Sequence, residues 1–291
     1  MRAILLLALM LLGACQSALM LPNAPASSSS KEPIGMIRDL NSGQVLTTDE
    51  LVGHLAKASR VIVGEQHDNP DHHALQLRLL RALADRRAQG SLLLEMLTPD
   101  QQPRVNKVRT ELKTIGWPDD LPKALAWQSG WDWMLYGPVV RFALAQPYPL
   151  LAANLDASEV RRIYAQAPVL SGARSNSASV KDELLAQVRE SHCGLLPETQ
   201  MPAMLAVQQQ RDRRMAERLL AAPMPSLLFA GAYHARMDVG VPVHLLDLGA
   251  SHGTVVLILA QEGAEVTPGM ADYVWYTAAM PEQDYCAQLR K

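Results

Sequence analysis

The stretch VIVGEQHDNPDHH, Val61 to His73, contains a short apolar run, a polar turn and the start of a helix. Val61–Val63 is apolar throughout, as expected for a strand that is buried on both faces of a sheet. Asn69 suits the N-cap of a helix, and Pro70 suits its first position because the ring already holds a helical φ. The stretch therefore predicts a strand that turns through Gly64 into a helix.

Similar runs rich in Val, Leu and Ile recur along the chain, with helical patterns between many of them. They are Leu92–Leu94, Leu150–Ala153, Leu227–Ala230, Val243–Leu246 and Val255–Leu259. This alternation predicts an α/β fold, with a mostly parallel central sheet flanked by helices. The gap from Leu97 to Pro149 is too long for one crossover helix, so we expect a helical insertion at about residues 98–148, after the second core strand.

The composition is that of a folded globular protein, with 291 residues of which 48% are hydrophobic and 19% charged. This length permits one large α/β domain, which we assign to residues 34–291. The formal net charge of -2 gives no reason to expect nucleic acid as a partner, because binding to phosphates requires clustered positive charge.

The N-terminus, MRAILLLALMLLGAC, has one positive charge followed by an apolar run from Ala3 to Leu12. The run is too short to span a bilayer and is typical of a secretory signal. Leu12-Gly13-Ala14-Cys15 resembles the bacterial lipobox, so residues 1–14 are expected to be a lipoprotein signal peptide. An ordinary cleaved signal is the alternative.

We expect Cys15 to carry the lipid, followed by a flexible tether that extends to residue 33 and is rich in Ser, Pro and Ala. Gln16 follows the cysteine, so the Asp that retains enteric lipoproteins in the inner membrane is missing. The protein is therefore expected in the bacterial cell envelope, anchored by lipid to the outer membrane.

Polar residues follow four of the predicted strands at the point where each strand ends. They are Glu65, His67, Glu95, Asn154, Asp156 and His234. Ligands bind outside the carboxyl ends of the strands in open parallel sheets, because the loops converge there. Two of these strand ends share the pattern G-x-x-H, at Gly64–His67 and at Gly231–His234. We therefore expect a site at this edge of the sheet.

The chemistry of Glu65, His67, Glu95 and His234 allows more than one function. Imidazoles and carboxylates can together hold a divalent metal that activates water. Without a metal, two buried carboxylates can act as an acid and a base. The alternative is a structural role, in which these residues cap helices and bond loop amides.

Other polar residues fall on predicted helices. His72 and His73 lie in the first turn after Asn69, where we expect them to be exposed. In the segment MPAMLAVQQQRDRRMAERLL, Gln208 and Asp212 share a helix face with methionines and leucines. Buried polar groups need partners, so these two residues could support the site or make structural hydrogen bonds.

Phe, Trp and Tyr make up only 5% of the chain, yet five of these aromatic residues are concentrated in one segment. They are Trp117, Trp127, Trp131, Trp133 and Tyr136. Such a segment could form an aromatic wall for a flat apolar ligand, and a phenolate can ligate ferric haem iron. The alternative is that the segment forms the small core of the insertion itself.

Two cysteines, Cys193 and Cys286, remain besides Cys15. An oxidising compartment would allow them to form a disulfide. Two unpaired thiols are equally compatible with the sequence.

Several motifs taken together resemble the ChaN-like haem-binding lipoproteins. They are the lipobox, GEQHDNPDHH, LLLEML, W-x-W-x-x-Y-G-P, HCG at His192 to Gly194, Q-Q-x-R-D-x-x-M-A around Asp212, and GAYHAR. The similarity covers about Ile37 to Ala260. The wider superfamily includes Tiki, TraB and erythromycin-esterase-like proteins marked by paired G-x-x-H motifs, and some of them are metal-dependent proteases or hydrolases.

The resemblance implies a lipoprotein of an iron or haem uptake system that holds ferric haem between two protomers. A tyrosine would ligate the iron, and we expect Tyr136 in this role, with Tyr233 as the alternative. Trp131 and Trp133 would form the aromatic wall. A histidine near the propionates is also implied, for which the candidates are His72 and His192.

The partners implied are haem, a second copy of the chain, the membrane and an outer-membrane haem receptor. The alternative function is a metal-dependent hydrolase that uses Glu65, Glu95, His67 and His234, with Tyr136, His67, His234 and Glu65 as the possible metal ligands. The family role requires no enzymatic activity.

The lipobox generates the first prediction. Substitution of Cys15→Ser removes the thiol that would carry the lipid, so the protein should leave the detergent phase in a Triton X-114 partition experiment. Partitioning that is the same for the variant and the unchanged protein would show that Cys15 is not the anchor.

Overall fold

A computed structural model of the protein describes residues 35–250, 252–281, 284, 286 and 287. Cys15, the predicted signal and the predicted tether lie outside these residues. Within the described part, no helix is both long enough and apolar enough to cross a membrane.

The centre of the described fold is one sheet of eight strands. The strands are β1 (Ile37–Asp39), β2 (Val45–Leu46), β3 (Arg60–Glu65), β4 (Ser91–Leu94), β5 (Leu150–Ala152), β6 (Ser226–Gly231), β7 (Thr254–Gln261) and β8 (Tyr273–Thr277). Their order is β2-β1-β8-β7-β3-β6-β4-β5. The strands from β3 to β8 pair in parallel, whereas β1 pairs antiparallel with both β2 and β8. The predicted fold class, α/β with a mostly parallel sheet, is confirmed.

Helices connect most of the strands and cover the sheet. They are α1 (Thr48–Lys57), α2 (Pro70–Ala84), α3 (Gln102–Glu111), α4 (Leu121–Ala124), α5 (Trp133–Leu144), α6 (Ala157–Ala165), α7 (Ala178–Ser191), α8 (Met201–Ala221), α9 (Ala232–Ala235) and α10 (Val241–Asp247). The helices α3 to α5 lie between the neighbouring strands β4 and β5, as the helical insertion predicted after the second core strand requires.

The opening stretch folds as its sequence predicts. β3 is buried along almost its whole length. The side chain of Asn69 accepts hydrogen bonds from the backbone N–H groups of Asp71 and His72, at 3.0 and 3.3 Å, and caps α2. Pro70 occupies the first position of that helix. The start of α2 is therefore defined by the local residues Asn69 and Pro70.

One predicted strand is wrong, and three strands were not predicted. Val243–Leu246 lies in the helix α10, which follows Gly240 and has Pro242 in its first turn. A short apolar run does not distinguish a buried strand from a buried helix, and the proline was the missed signal. The missed strands are β1, β2 and β8, the first two being only three and two residues long.

The sheet separates two apolar cores. Successive side chains of a strand point to opposite faces, so Val61 and Val63 join one core and Ile62 joins the other. The first core includes Leu79 of α2, and the second includes Met215 of α8. Burial on both faces explains why the central strands are apolar at every position.

Cys193 and Cys286 form a disulfide, with their Cα atoms 5.6 Å apart. The possible pairing suggested by the sequence is therefore confirmed. The bond joins the end of α7 to a residue near the C-terminus, 93 positions later. Closing so long a loop is expected to stabilise the fold by about 4–5 kcal/mol.

Gly64 allows α9 to pack tightly on the sheet. A Cβ at this position would lie 2.7 Å from Cβ of Ala235, 2.7 Å from Cδ1 of Ile258 and 2.9 Å from Cα of Ala232. Real Cβ atoms do not approach other atoms so closely. Glycine at position 64 is therefore required by the close approach of β3 and α9.

We predict that Gly64→Ala lowers the free energy of unfolding by about 1–3 kcal/mol, because the added methyl group overpacks the contact between β3 and α9. Gly53→Ala is the matched control, since no atom lies within 4 Å of a Cβ at that helical position. The control should raise the free energy of unfolding by about 0.5–1 kcal/mol. Urea denaturation measures both, and equal effects of the two substitutions would contradict this account.

Candidate functional site

The end of β3 places a buried carboxylate between an imidazole and a phenol. Glu65 is the last residue of β3 and is buried. Nδ1 of His67 lies 2.7 Å from Oε1 of Glu65 and donates its proton to it. The hydroxyl of Tyr136, from α5, donates to the same oxygen at 3.0 Å. The helical insertion thus contributes a residue to the strand-edge site.

Burial and the neighbouring charges determine the protonation states of His67 and Tyr136. Burial lowers the pKa of His67, but the hydrogen bond to Glu65 and the charge of Glu95 outweigh burial and raise it to about 9. Water screens part of this interaction, because 42% of the His67 side chain is exposed. Burial and the charge of Glu65 raise the pKa of Tyr136. His67 is therefore an imidazolium at neutral pH, and Tyr136 is a protonated phenol.

A second group lies at the ends of β4 and β6. Nδ1 of His234, in α9, lies 2.6 Å from Oδ1 of Asp212, in α8, and its Nε2 lies 3.5 Å from Oε1 of Glu95. Oε2 of Glu95 accepts a hydrogen bond from the backbone N–H of Gly231 at 2.8 Å. Asp212 is buried, so the expectation that it supports the site from a helix face agrees with its position.

The ionisation of this second group is also coupled. Burial lowers the pKa of His234, but the carboxylates of Glu95 and Asp212 outweigh burial, and the net shift is upward. Burial raises the pKa of Glu95, but His234 and His67 outweigh it, and the net shift is downward. The carboxylates of Glu95 and Asp212 therefore favour the protonated form of His234, and the two histidines favour the ionised form of Glu95.

Gly231 brings the two groups together. A Cβ at Gly231 would lie 2.8 Å from Cε1 and Nε2 of His67, and 3.7 Å from Oε2 of Glu95. The first histidine of the paired G-x-x-H motifs therefore packs against the glycine of the second. The structure gathers Glu65, His67, Glu95 and His234 at one edge of the sheet, and it adds Tyr136 and Asp212 to them. We call these six residues the strand-edge cluster.

The cluster has the components of an acid–base site. Its imidazoles can donate protons, and Oε2 of Glu65 is buried without a hydrogen-bond partner. The Nδ1 atoms of His67 and His234 are hydrogen-bonded to carboxylates. Within the described residues, no group of three or more His, Cys, Asp or Glu side chains is arranged to hold a metal ion.

The expectation that His72 and His73 are exposed is wrong, because both are buried. Nδ1 of His72 accepts a hydrogen bond from the backbone N–H of Gln66 at 3.0 Å, and its Nε2 lies 3.1 Å from Oγ1 of Thr277. Burial and the neighbouring His73 lower the pKa of His72 to about 4, so this ring is neutral. Nε2 of His73 lies 2.9 Å from the carbonyl oxygen of His67. The hydrogen bonds of both rings stabilise the turn between β3 and α2, and the rings are buried where they make these bonds.

The aromatic segment packs mainly upon itself. The ring centroids of Trp127 and Trp133 are 5.1 Å apart, and those of Trp131 and Tyr136 are 5.9 Å apart. Trp131 also contacts the ring of His67 edge-on, at 4.9 Å between centroids. Tyr136 is only 1% exposed. Trp131 and Tyr136 form one wall of the strand-edge cluster. The segment packs within the insertion, which was the alternative that the sequence left open, except that Trp133 is only partly buried and Trp117 is 46% exposed.

An open cavity of about 550 Å³ lies beside the cluster, where β3 and β7 end. Tyr233 faces it and is 38% exposed. Apolar side chains form much of the wall, and Gln66 and His72 form part of its rim; the apolar residues are Ile258, Leu259, Ala260, Val266 and Met270. Tyr233, the alternative iron ligand, therefore faces a space that could hold a large apolar ligand.

Arg236 adds a positive charge to this cavity. Its guanidinium lies 5.4 Å from the centre of the Tyr233 ring and forms ion pairs with Asp238 and Glu183, at 2.6 and 3.0 Å. Burial and Glu190 raise the pKa of Tyr233, whereas Arg236 lowers it. No role was predicted from the sequence for Arg236, although this residue ends the motif GAYHAR. Its place three positions after Tyr233 could have indicated that the two side chains lie close together.

His192 lies at the C-terminal end of α7, next to the disulfide. Its Nδ1 lies 2.8 Å from the carbonyl oxygen of Val188 and caps the helix. His192 is thus placed as a helix-capping residue.

Comparisons with known proteins are consistent with this arrangement. A family model described as haem-binding uptake, Tiki superfamily, ChaN matches residues 51–245. The structure of ChaN of Campylobacter jejuni with cofacially bound haem is 30% identical, with a TM-score of 0.76, and the match covers 85% of this chain and 97% of that one. No curated protein matches the sequence.

More distant similarities exist to two other structures. Erythromycin esterase EreC is 14% identical, with a TM-score of 0.46, and the match covers 88% of this chain and 86% of that one. The toxin effector domain RRSP from Vibrio vulnificus is 14% identical, with a TM-score of 0.44, over 82% of this chain and 39% of that one. Neither similarity is strong enough to support a functional argument.

The charge balance at β3 generates a prediction for Glu65→Gln. Loss of the carboxylate should lower the pKa of His67 from about 9 towards its ordinary value of 6.5, because burial is then opposed only by the charges of Glu95 and Asp68. A raised pKa means that the pair stabilises the fold fully below pH 6.5 and less as the pH rises through 9. The variant should lack this loss of stability.

NMR titration of the His67 ring measures the shift, and urea denaturation across the same pH range measures the stability. Glu265→Gln, at an exposed loop position, is the control and should leave both unchanged. A His67 pKa that stays near 9 in Glu65→Gln would show that Glu65 is not its main partner.

Proposed function

This chain belongs to the haem-binding ChaN family of the Tiki superfamily, and we propose that it binds ferric haem in the cavity beside Tyr233. The observation that carries the proposal is that a half-exposed tyrosine faces an open, largely apolar cavity of about 550 Å³. This volume lies within the range of about 300–1,000 Å³ that is typical of sites for small molecules.

The residues of the cavity fit the three chemical parts of haem. The apolar walls, including Ile258 and Val266, suit the porphyrin faces. The phenol oxygen of Tyr233 is a hard ligand that suits ferric iron. The guanidinium of Arg236 could bind a propionate carboxylate by exchanging one of its partners, Asp238 or Glu183. Haem would supply the iron, and the protein would bind and orient it.

We assign the iron ligand to Tyr233 and not to Tyr136, which was the first choice from the sequence. Tyr136 is buried and donates its proton to Glu65, so a phenolate at this position would place two negative charges side by side without water. Tyr233 is 38% exposed, and the neighbouring guanidinium of Arg236 offsets part of the rise in its pKa that burial and Glu190 cause.

The same reasoning changes the roles of the other candidates. Trp131 and Trp133 pack against other aromatic rings of the insertion, so we do not assign them to the haem pocket. His72 contacts the cavity, but its pKa of about 4 leaves it uncharged at neutral pH. We therefore assign the interaction with the propionates to Arg236.

The proposal extends to assembly and location. An open cavity leaves one face of the porphyrin in water, and a second copy of the chain could cover it. ChaN of Campylobacter jejuni binds haem cofacially, which supports such an arrangement. We propose a haem-linked homodimer, anchored by lipid at Cys15 to the outer membrane, that takes part in haem uptake together with an outer-membrane haem receptor.

Hydrolysis at the strand-edge cluster is the second candidate function. The observation in its favour is that His234 lies between two buried carboxylates, Glu95 and Asp212, while His67 pairs with Glu65. Since the imidazoles and carboxylates are bonded to one another, the cluster suits acid–base chemistry better than the metal site expected from the sequence. Haem binding at Tyr233 does not require Glu65.

Substitution of Tyr233→Phe tests the proposed iron ligand. We expect the charge-transfer band of a tyrosinate–iron complex to disappear and the affinity for ferric haem to fall at least about tenfold, which corresponds to about 1.4 kcal/mol. In the unchanged protein the affinity should rise with pH, because ligation displaces the phenol proton, and this rise should be lost in the variant.

Tyr164→Phe is the matched control, because this tyrosine of α6 is 39% exposed and is not among the residues that line the cavity. It should bind haem like the unchanged protein. If Tyr136→Phe removes the tyrosinate band and Tyr233→Phe retains it, the assignment of the ligand is wrong.

A further inference from the structure

Large apolar side chains are exposed on the helical insertion. Ile115 is 80% exposed, Met134 81% and Trp117 46%. Beside Met134 lies an open surface cavity of about 540 Å³, to which Trp133 contributes. Isolated exposed apolar residues are ordinary, but a group of this size marks a surface that contacts something else.

Two guanidiniums lie within this surface. That of Arg141 lies 5.6 Å from the ring centre of Trp117 and 6.0 Å from that of Trp133. That of Arg81 lies 6.0 Å from the ring of Phe142. In the part of the chain that the structure describes, neither guanidinium pairs with a carboxylate. Both therefore remain available to an anion.

Two acidic residues close to these side chains in sequence cap the N-termini of helices. Asp120 accepts a hydrogen bond from the backbone N–H of Lys123 at 3.0 Å, and Asp132 accepts one from Met134 at 2.8 Å. Their carboxylates are thus directed to the first turns of α4 and α5. We define the insertion patch as Arg81, Ile115, Trp117, Trp133, Met134 and Arg141.

We propose that the insertion patch docks on the surface of an anionic lipid bilayer. Tryptophan rings are favoured at the boundary between headgroups and acyl chains, where Met134 and Ile115 would also leave water. Guanidiniums bind lipid phosphates in a bidentate manner and keep their stems along apolar surface. The mixture of exposed apolar side chains and unpaired guanidiniums suits this partner better than an uncharged protein surface.

The expected lipid anchor strengthens the argument for a bilayer. Only 18 positions separate Cys15, the expected lipid anchor, from residue 33, so the domain would stay close to the membrane. At such an effective concentration, a patch of low intrinsic affinity is sufficient to orient the domain. A soluble partner would not be held at such an effective concentration.

Oxidation of methionine tests the proposal on the full-length protein. Met134 and Met224 are both exposed, at 81% and 58%, but only Met134 belongs to the patch. The protein is treated with hydrogen peroxide in detergent and in vesicles that contain phosphatidylglycerol, and sulfoxide is measured at each methionine by mass spectrometry. We expect the vesicles to slow oxidation of Met134 by about fivefold or more and to leave Met224 unchanged.

Two variants separate a specific contact from general shielding. Arg81→Gln combined with Arg141→Gln should remove the protection of Met134, and so should vesicles of phosphatidylcholine alone. The control pair, Arg104→Gln with Arg218→Gln, removes two exposed arginines elsewhere and should retain the protection. Equal oxidation of Met134 in detergent and in anionic vesicles would overturn the proposal. Protection of Met134 that increases with the amount of protein per vesicle and does not depend on lipid charge would also overturn the proposal. It would indicate that a second copy of the chain covers the patch.

Discussion

Two carboxylates are buried where the parallel strands end, and the local structure depends on how their charge is balanced. Glu65 and Glu95 are each about 1% exposed, and an unpaired charge in such a place would be very unfavourable. His67 and His234 supply the balancing charges, with pKa values raised by the carboxylates themselves. The rings reach the carboxylates only because Gly64 and Gly231 leave room for α9 and for His67.

The same interactions determine which tyrosine is available to a ligand. Oε1 of Glu65 accepts a hydrogen bond from the hydroxyl of Tyr136 and so holds the first turn of α5 against the cluster. Tyr233 and His234 are consecutive residues of α9, so His234, held between Glu95 and Asp212, fixes the short helix from inside. Tyr233 is thereby directed to the cavity. The cluster can therefore position the proposed haem ligand without touching haem, and it is a positioning device whether or not it also catalyses hydrolysis.

Much of this arrangement could be predicted from the sequence, because it rests on local patterns. Buried parallel strands are apolar at every position, and the polar residues that follow them predicted Glu65, His67, Glu95 and His234 at one edge. Other features depend on packing that no local pattern records. The burial of His72 and His73 comes from contacts with β8 and the β3–α2 turn, and β8 itself was not predicted. The apolar run Val243–Leu246 is compatible with a buried strand and with a buried helix, so its composition did not decide between them. The choice between Tyr136 and Tyr233 required knowledge of which hydroxyl is buried against a carboxylate, and that information exists only in three dimensions.

The central claim is that the strand-edge cluster and the haem site are separate, with α9 as the element they share. A crystal structure of the complex with ferric haem tests it most directly. The account predicts that the iron is bonded to the phenol oxygen of Tyr233, that the porphyrin lies against Ile258 and Val266, and that Tyr136 still donates to Glu65. Iron bonded to Tyr136, or to the imidazole of His67 or His234, would contradict the account, because it would place the cofactor within the cluster.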